Sequence, residues 1–328
     1  MLQTIPNINQ LKNKSYLVTG GAGFIGSNLV AYLLQQGAEE VRVLDNLSTG
    51  SKSNITEFET DARFKFIMGD TTNYQDCLTA CENMDGVFHN AALGSVSRSL
   101  EDPIATNNAN VNGFVTLLNA AKNQSVKKVI YASSSSVYGD DMSIEKQEHI
   151  TGNLLSPYAV SKKTNELYAA VFTKSYNLPI IGLRYFNVFG PKQNPNGQYA
   201  AVIPIFISQL LKNNSPFIFG DGSTSRDFTF IDNVVYANVL AMTSEINAGV
   251  YNVAYGASTS LNKLYKTIQQ KLNSTSEPNY KPERKGDIKN SLANISCIKK
   301  DLGYQPLISI EQGLEKSIEW YKKIADGY

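Results

Sequence analysis

The amino-acid sequence predicts an α/β protein: a doubly wound parallel sheet joined to a smaller mixed α/β region. Three observations carry that expectation. Short β-branched apolar runs alternate with amphipathic stretches through the first half of the 328 residues. Strands that are apolar throughout and separated by helices suit a parallel sheet covered on both faces. A glycine-rich turn, TGGAGFIG, joins the first such strand to the first helix. Beyond residue 187 the regular alternation stops, and the loops PKQNPNGQ (191–198) and FGDGSTSRD (219–227) interrupt short strands and helices.

In order along the chain, strands are expected at 15–20 (SYLVTG), 41–45 (VRVLD), 64–69 (FKFIMG), 86–90 (GVFHN), 126–133 (VKKVIYAS) and 180–186 (IIGLRYF). Helices fit the apolar period at 24–36, 75–82, 104–124 and 157–176. Ser156 and Pro157 form an N-cap and first-turn pair that starts the last of these. Residues 1–186 are expected to form a cofactor-binding domain and 187–328 a substrate-binding one. The chain returns to the first domain around 228–255, because IDNVVYANVLAM (231–242) reads as a helix able to pack on the sheet.

Composition excludes several classes. Hydrophobic residues make up 42% and charged residues 18%, enough to build a core. Thirty basic residues face twenty-nine acidic ones without a long run of either sign, so neither nucleic acid nor a membrane surface is expected as a partner. No window approaches ~18 consecutive apolar residues, and the first fourteen residues carry no stretch of signal-peptide length. Cys77, Cys81 and Cys297 are an odd set without a disulfide pattern. Cys77 and Cys81 lack the further ligands of a zinc site, so no metal is expected and a reducing cytosol is the expected compartment.

Gly20, Gly23 and Gly26 repeat as G-x-x-G-x-x-G between a strand and a helix. One glycine permits the tight turn, one lets backbone approach a pyrophosphate, and one lets the helix lie close to the strand. The helix from Phe24 points its first N–H groups and positive dipole end at the same place. Asp45 ends the next strand nineteen residues after Gly26 and suits ribose hydroxyls. It would repel a 2′-phosphate, and no Arg follows in DNLSTG, so NAD is expected rather than NADP. Asp70, ending the third strand, can meet an adenine amino group, and Ala91 and Ala92 after the fourth allow close approach.

Tyr158 and Lys162 are four residues apart on one helical face. A phenol with pKa ~10 is a poor base near neutrality. An adjacent ammonium and a cationic nicotinamide would draw it downward. By itself the pair also suits an ordinary surface helix. Taken together, TGGAGFIG, the serine-rich YASSSSVYG (131–139) and YAVSK resemble the extended short-chain dehydrogenase/reductases, which have a Rossmann-like fold. That resemblance implies Tyr158 as acid/base, Lys162 as ribose anchor and modulator of Tyr158, and Ser134 as hydrogen-bond partner of the reacting oxygen. Asn110 matches the Asn that positions the site. Phe24, Ile25, Asn46 and Thr71 fall where the family contacts NAD.

GLRYFNVFGP (182–191), AAVIPIF (200–206), GDGSTSRDF (220–228) and RKGDI (284–288) follow in the order seen in UDP-hexose 4-epimerases. This likeness runs over about residues 15–321. It implies a UDP-sugar ligand, with Asn187 and Arg226 on the diphosphate and Val202, Phe217 and Phe219 around the uridine. It also implies Arg284 on the phosphates, Asp287 on a ribose hydroxyl, and Ser95 and Ser135 near the sugar. Phe217 and Phe219 equally suit strand core. The related dehydratases carry an Asp-Glu pair where Ser135 and Ser136 stand, and the decarboxylases keep a Glu at the second position. Reversible oxidation at C4, with NAD held through turnover, is therefore expected.

Ser291 aligns with the position that lines the hexose pocket, where a Tyr would crowd C2 and Ser admits an N-acetyl group. AALGSVSRSL (91–100) and AAVIP look like the subgroup acting on UDP-N-acetylglucosamine. Ala293-Asn294 departs from the common Ala-Asp. Arg98 suits either a sugar carboxylate or an ordinary loop charge, which leaves uronic acids and plain UDP-glucose as alternatives. A net nucleotide-sugar oxidoreductase and a non-catalytic NAD-binding protein are the readings from other classes. A homodimer formed through helices 104–124 and 157–176 is what the family implies.

Overall fold

The computed structural model describes residues 8–197, 199–283 and 289–325. The first half contains β1 (Ser15–Thr19), α1 (Phe24–Gln35), β2 (Glu40–Asp45), β3 (Phe64–Met68), α2 (Tyr74–Cys81) and β4 (Gly86–His89). It continues through α3 (Val96–Glu101), α4 (Pro103–Asn107), α5 (Gly113–Asn123), β5 (Lys128–Ser134), β6 (Glu145–Lys146), α6 (Pro157–Tyr176) and β7 (Ile180–Tyr185). The second half adds β8 (Val188–Phe189), α7 (Val202–Leu211), β9 (Phe217–Phe219), β10 (Ser225–Asp227), β11 (Thr229–Phe230), α8 (Ile231–Thr243) and β12 (Ala248–Val253). Then come β13 (Ser258–Ser260), α9 (Leu261–Leu272), β14 (Asn279–Lys281), β15 (Asn290–Ala293), α10 (Ser296–Leu302) and α11 (Ile310–Ala325).

Seven strands form one parallel sheet in the order β12-β7-β5-β4-β1-β2-β3, a Rossmann-like α/β arrangement. The strand order reverses between β1 and β4, and ligands of such sheets bind at the carboxyl ends beside that reversal. Successive strand residues face opposite sides. Tyr16 and Val18 of β1 pack with Leu29, Val30 and Leu33 of α1 and with Val235 and Val239 of α8. Leu17, between them, packs with Val87, Val129, Phe114 and Leu117 on the other side. Cys77 and Cys81 are buried in this second core, and burial pushes both thiols up to about 12. Among the described residues, no helix is long and apolar enough to cross a membrane.

The remaining strands make a four-stranded sheet, β13-β10-β15-β6, and two parallel pairs, β11-β8 and β14-β9. The chain visits the smaller sheet early, because β6 pairs with β15 through Leu292↔Glu145 and Ala293↔Lys146. Composition alone did not signal that excursion. A second difference concerns the helix expected over 104–124. It is divided into α4, a π-helical turn at Asn108–Asn112 and α5, although Asn107, Asn112 and Gly113 keep helical dihedrals. The wider turn carries Asn110, whose side chain is fully engaged inside the protein.

Beneath the carboxyl end of β5, Glu166 of α6 and Arg184 of β7 form a buried two-pronged ion pair at 2.8 and 2.9 Å. Ser133 Oγ donates to the same carboxylate at 2.8 Å, and Arg184 also donates to the Glu148 carbonyl at 3.0 Å. These bonds fix α6 against β5 and β7.

Candidate active site

The turn between β1 and α1 is built on glycine for visible reasons. Gly20 has φ +67°, and a Cβ there would lie 2.7 Å from Ala91 N. At Gly26 a Cβ would lie 2.2 Å from Gly20 O, so the helix could not approach the turn. Gly23 caps α1 and offers no side chain to its first N–H groups at Phe24, Ile25 and Gly26. These glycines open onto a cleft of about 100 Å³ lined by Gly20, Gly23, Asp45, Asn46, Asp70, Thr71, Ala91 and Ala92. Asp45 Oδ2 accepts from Ala22 N at 2.9 Å and Oδ1 from Leu47 N at 2.8 Å, which fixes the carboxylate at the rim. Partial burial of Asp70 is outweighed by hydrogen bonds from Thr72 and Asn46, which hold its pKa below the usual value. Ser48, Thr49, Asn90 and Leu93 also line the cleft. Of these, Asn90 has a buried Oδ1 with no hydrogen-bond partner among the described residues, a property that sequence spacing could not expose.

At the end of β5, Ser134 caps a short turn by accepting from Ser136 N at 3.1 Å, and its hydroxyl hydrogen-bonds to the Tyr158 phenol. Ser156 accepts from Ala159 N at 3.1 Å and starts α6 at Pro157, which places Tyr158 in the first turn. Lys162 lies one turn on, its Nζ donating to the Ala132 carbonyl at 2.8 Å and standing 5.9 Å from the Tyr158 ring centroid. Burial takes the Lys162 ammonium down to about 8. Burial also raises the Tyr158 phenol, and the bond with Ser134 only partly offsets this. The downward pull expected for Tyr158 includes a cationic nicotinamide; in the protein alone, desolvation dominates. Asn110 pairs with both Leu93 N at 2.8 Å and Leu93 O at 3.2 Å and donates to Ser161 Oγ at 3.0 Å. Ser161 in turn donates to the Tyr158 carbonyl at 2.8 Å, so the π turn links the cleft to the start of α6. His89 is buried, with Nδ1 2.7 Å from Thr19 Oγ1. Burial, then the nearby Lys162, lowers its pKa to about 3 and keeps it neutral.

A second cavity of about 320 Å³ gathers Asn187, Val202, Phe217, Phe219 and Arg226 with Ala200, Ala201, Thr224 and Leu261. Phe217 is 50% exposed, which removes it from the core, and the Lys281 ammonium stands 3.5 Å from its ring centroid. Ser291 is the register partner of Arg226 across β10 and β15. Ser95 sits at φ +95° and accepts from Arg98 N at 3.3 Å. A non-glycine residue there is strained, and such strain concentrates at functional sites. Arg98 stacks 5.1 Å over the Tyr199 ring, whose hydroxyl bonds Glu101. Ser135 opens the turn after β5 and is half-buried, beside Ser134. Arg284 and Asp287 lie outside the described residues.

The Ser134–Tyr158 pair lines neither cavity but stands between them. β5 is flanked by β4, whose end opens at Ala91 on the first cleft, and by β7, which leads to Asn187 in the second cavity. Ser134 is paired directly with Tyr185, two residues before Asn187.

A model of the NAD dependent epimerase/dehydratase family matches residues 16–254. The chain belongs to that family. It is 37% identical over 308 residues to a UDP-glucose 4-epimerase of Mycolicibacterium smegmatis, covering 93% of this chain and 98% of the relative. It superposes at TM-score 0.91 and 40% identity on the UDP-N-acetylglucosamine 4-epimerase of Methanobrevibacter ruminantium, solved with UDP-N-acetylmuramic acid, with 95% and 99% of the two chains covered. The UDP-glucuronic acid 4-epimerase of Bacillus cereus, solved with UDP-glucuronic acid and NAD, aligns at TM-score 0.87 and 32% identity over 94% and 99%.

As a member of this family the protein is an NAD-dependent enzyme, and the cleft's own geometry fits that cofactor. The space at Gly20 and Gly26 is closed to any Cβ, α1 begins on an uncapped N-terminus, and Asp45 presents a carboxylate where a 2′-phosphate would be repelled. Asn90 lines the same cleft, and its buried Oδ1 has no hydrogen-bond partner among the described residues.

Proposed function

We propose that this enzyme reversibly epimerises UDP-sugars at C4, with UDP-N-acetylglucosamine and UDP-N-acetylgalactosamine as its main pair. The observation that carries the reading is the position of Ser134 and Tyr158, between the dinucleotide cleft and a cavity suited to a nucleobase and diphosphate. Residues 1–186, with the returning segment 228–255, would hold the cofactor, and 187–328 the UDP-sugar.

Bound NAD supplies a hydride acceptor and donor, which allows a C4 alcohol to pass through a ketone and back. Tyr158 takes the C4 hydroxyl proton at its phenolic oxygen and later returns it. Ser134 donates to the same oxygen region and favours the phenolate. Lys162, anchored on the Ala132 carbonyl, adds positive charge beside the phenol and has N–H groups left for a ribose. Asn187 and Arg226 hold the diphosphate while the sugar turns, the planar guanidinium matching phosphate oxygens. Ser135 and Ser136 bring no carboxylate to the sugar, so the elimination chemistry of dehydratases lacks its acid and base.

Ser291, half-buried and paired with Arg226, supports the N-acetyl preference because its small side chain leaves space beside the sugar. Exposed Ile104, Val160, Leu167, Tyr168 and Val171 on α4 and α6 support a homodimer through these helices. Three free cysteines fit a reducing cytosol. The test is incubation with UDP-N-acetylglucosamine, UDP-glucose and their uronic acids, with products separated by C4 configuration. N-acetylated sugars should turn over fastest, without loss of a C4 isotope label to solvent. Ser291→Tyr should reduce their use selectively; an unchanged preference would overturn the role of Ser291.

A further inference from the structure

Asp227 is the residue after Arg226, yet it has no part in the chemistry above. Its carboxylate is fully buried and is held by main-chain groups. Oδ1 accepts from Tyr255 N at 3.1 Å and Gly256 N at 3.3 Å, and Oδ2 from Gly256 N at 3.0 Å and Ala293 N at 3.3 Å. Its backbone carbonyl accepts from Asn187 Nδ2 at 3.0 Å, and Asn187 sits at φ +35°. One residue thus joins the segments that carry Asn187, Arg226 and, two residues before Ala293, Ser291. Those segments come from three distant parts of the chain.

We propose that Asp227 is a positioning residue, whose carboxylate ties β10 to β15 and to the turn at 254–257 so that Asn187, Arg226 and Ser291 converge on one UDP-sugar. The inference rests on the nucleotide-sugar reading. Only a carboxylate has two acceptor oxygens for these three N–H groups; an amide would turn its own N–H towards them. Burial pushes the Asp227 carboxyl up to about 7 against the pull of the N–H groups, so it titrates in the neutral range. A proton gained there replaces an acceptor with a donor, and the tie loosens as pH falls. β15 and the turn meet the carboxylate with backbone N–H groups, and β13 pairs antiparallel with β10 beside it. Arg226 points to the opposite face of β10. Tyr304, bonded to Ala254 O at 3.0 Å, senses the charge and stays neutral because burial holds its phenol high.

Calorimetric titration of the NAD-bound protein with UDP-N-acetylglucosamine, whose diphosphate diester does not titrate from pH 6 to 8, tests the proposal. Asp227→Asn should weaken binding at pH 8 by roughly tenfold, with kcat and NAD content nearly unchanged. Wild-type affinity should fall from pH 8 to pH 6, and that of the variant should stay flat. Equal affinity of the two proteins, or parallel loss of affinity, kcat and NAD, overturns the positioning role. If the variant does not fold, a wild-type affinity that is constant over this range overturns it instead. Failure of wild type to bind any UDP-sugar is a separate result, and it refutes the nucleotide-sugar reading along with the inference.

Discussion

Replacing Glu166 with Gln tests how the catalytic face of α6 is held. Tyr158, Lys162 and Glu166 recur every four residues and therefore share one face. Arg184 grips Glu166 by two bonds, and the two side chains are only 2% and 5% exposed. Burial alone would raise the Glu166 carboxyl, but the hydrogen bonds and charge of Arg184 hold it low. Gln keeps the volume and removes the charge, which leaves the guanidinium inside the protein with a weakened partner. Breaking one side of such a pair costs about 3–5 kcal/mol. For 328 residues, an unfolding entropy of ~2.1 cal/mol/K per residue makes this a Tm drop of about 4–7 °C. Scanning calorimetry of the NAD-bound protein measures it. The double change Glu166→Leu with Arg184→Met should cost less than Glu166→Gln alone, because no charge is stranded. A Glu166→Gln protein melting within a degree of wild type, or a double variant less stable than the single one, would refute the reasoning.

Two further outcomes follow from the cleft. Gly26→Ala places a Cβ 2.2 Å from Gly20 O and 2.7 Å from Gly21 Cα, so α1 must withdraw from the turn. The purified variant should contain far less NAD than wild type, read from the absorbance of cofactor released on denaturation. His89 has a folded pKa of about 3, below its unfolded value, so the unfolded chain takes the proton first as pH falls. Stability is therefore lost below pH ~6.5, by about 2 kcal/mol between pH 7 and pH 5. Asp227 acts in the opposite direction, since its raised pKa favours the fold as pH falls from about 7. The His89 contribution is thus read as the difference between wild type and His89→Gln in urea unfolding, and it should shrink by that amount.

The parts of the molecule legible in the sequence share one physical property: each is written in local spacing. Apolar runs define the strands of the large sheet, because burial on both faces leaves no polar alternation to confuse them. Gly20, Gly23 and Gly26 mark a turn by their spacing within seven residues, and the closest contacts of Gly23 and Gly26 lie inside it. Tyr158 and Lys162 are brought together by one turn of helix, and Ser156-Pro157 shows where that helix starts. What was not legible depends on partners far along the chain. Glu166 meets Arg184 across two elements, and β6 joins β15 after 143 intervening residues of unrelated pattern. Asn110 required a π turn, which no period of 3.6 announces, in order to reach both Leu93 and Ser161. The upward shift of Tyr158 in the protein alone was not legible for the same reason. Spacing located the ammonium four residues away, but burial is set by everything that packs around the phenol. A working base therefore needs charge brought by ligands to the cleft as well as Lys162, which ties proton transfer at Tyr158 to an occupied site.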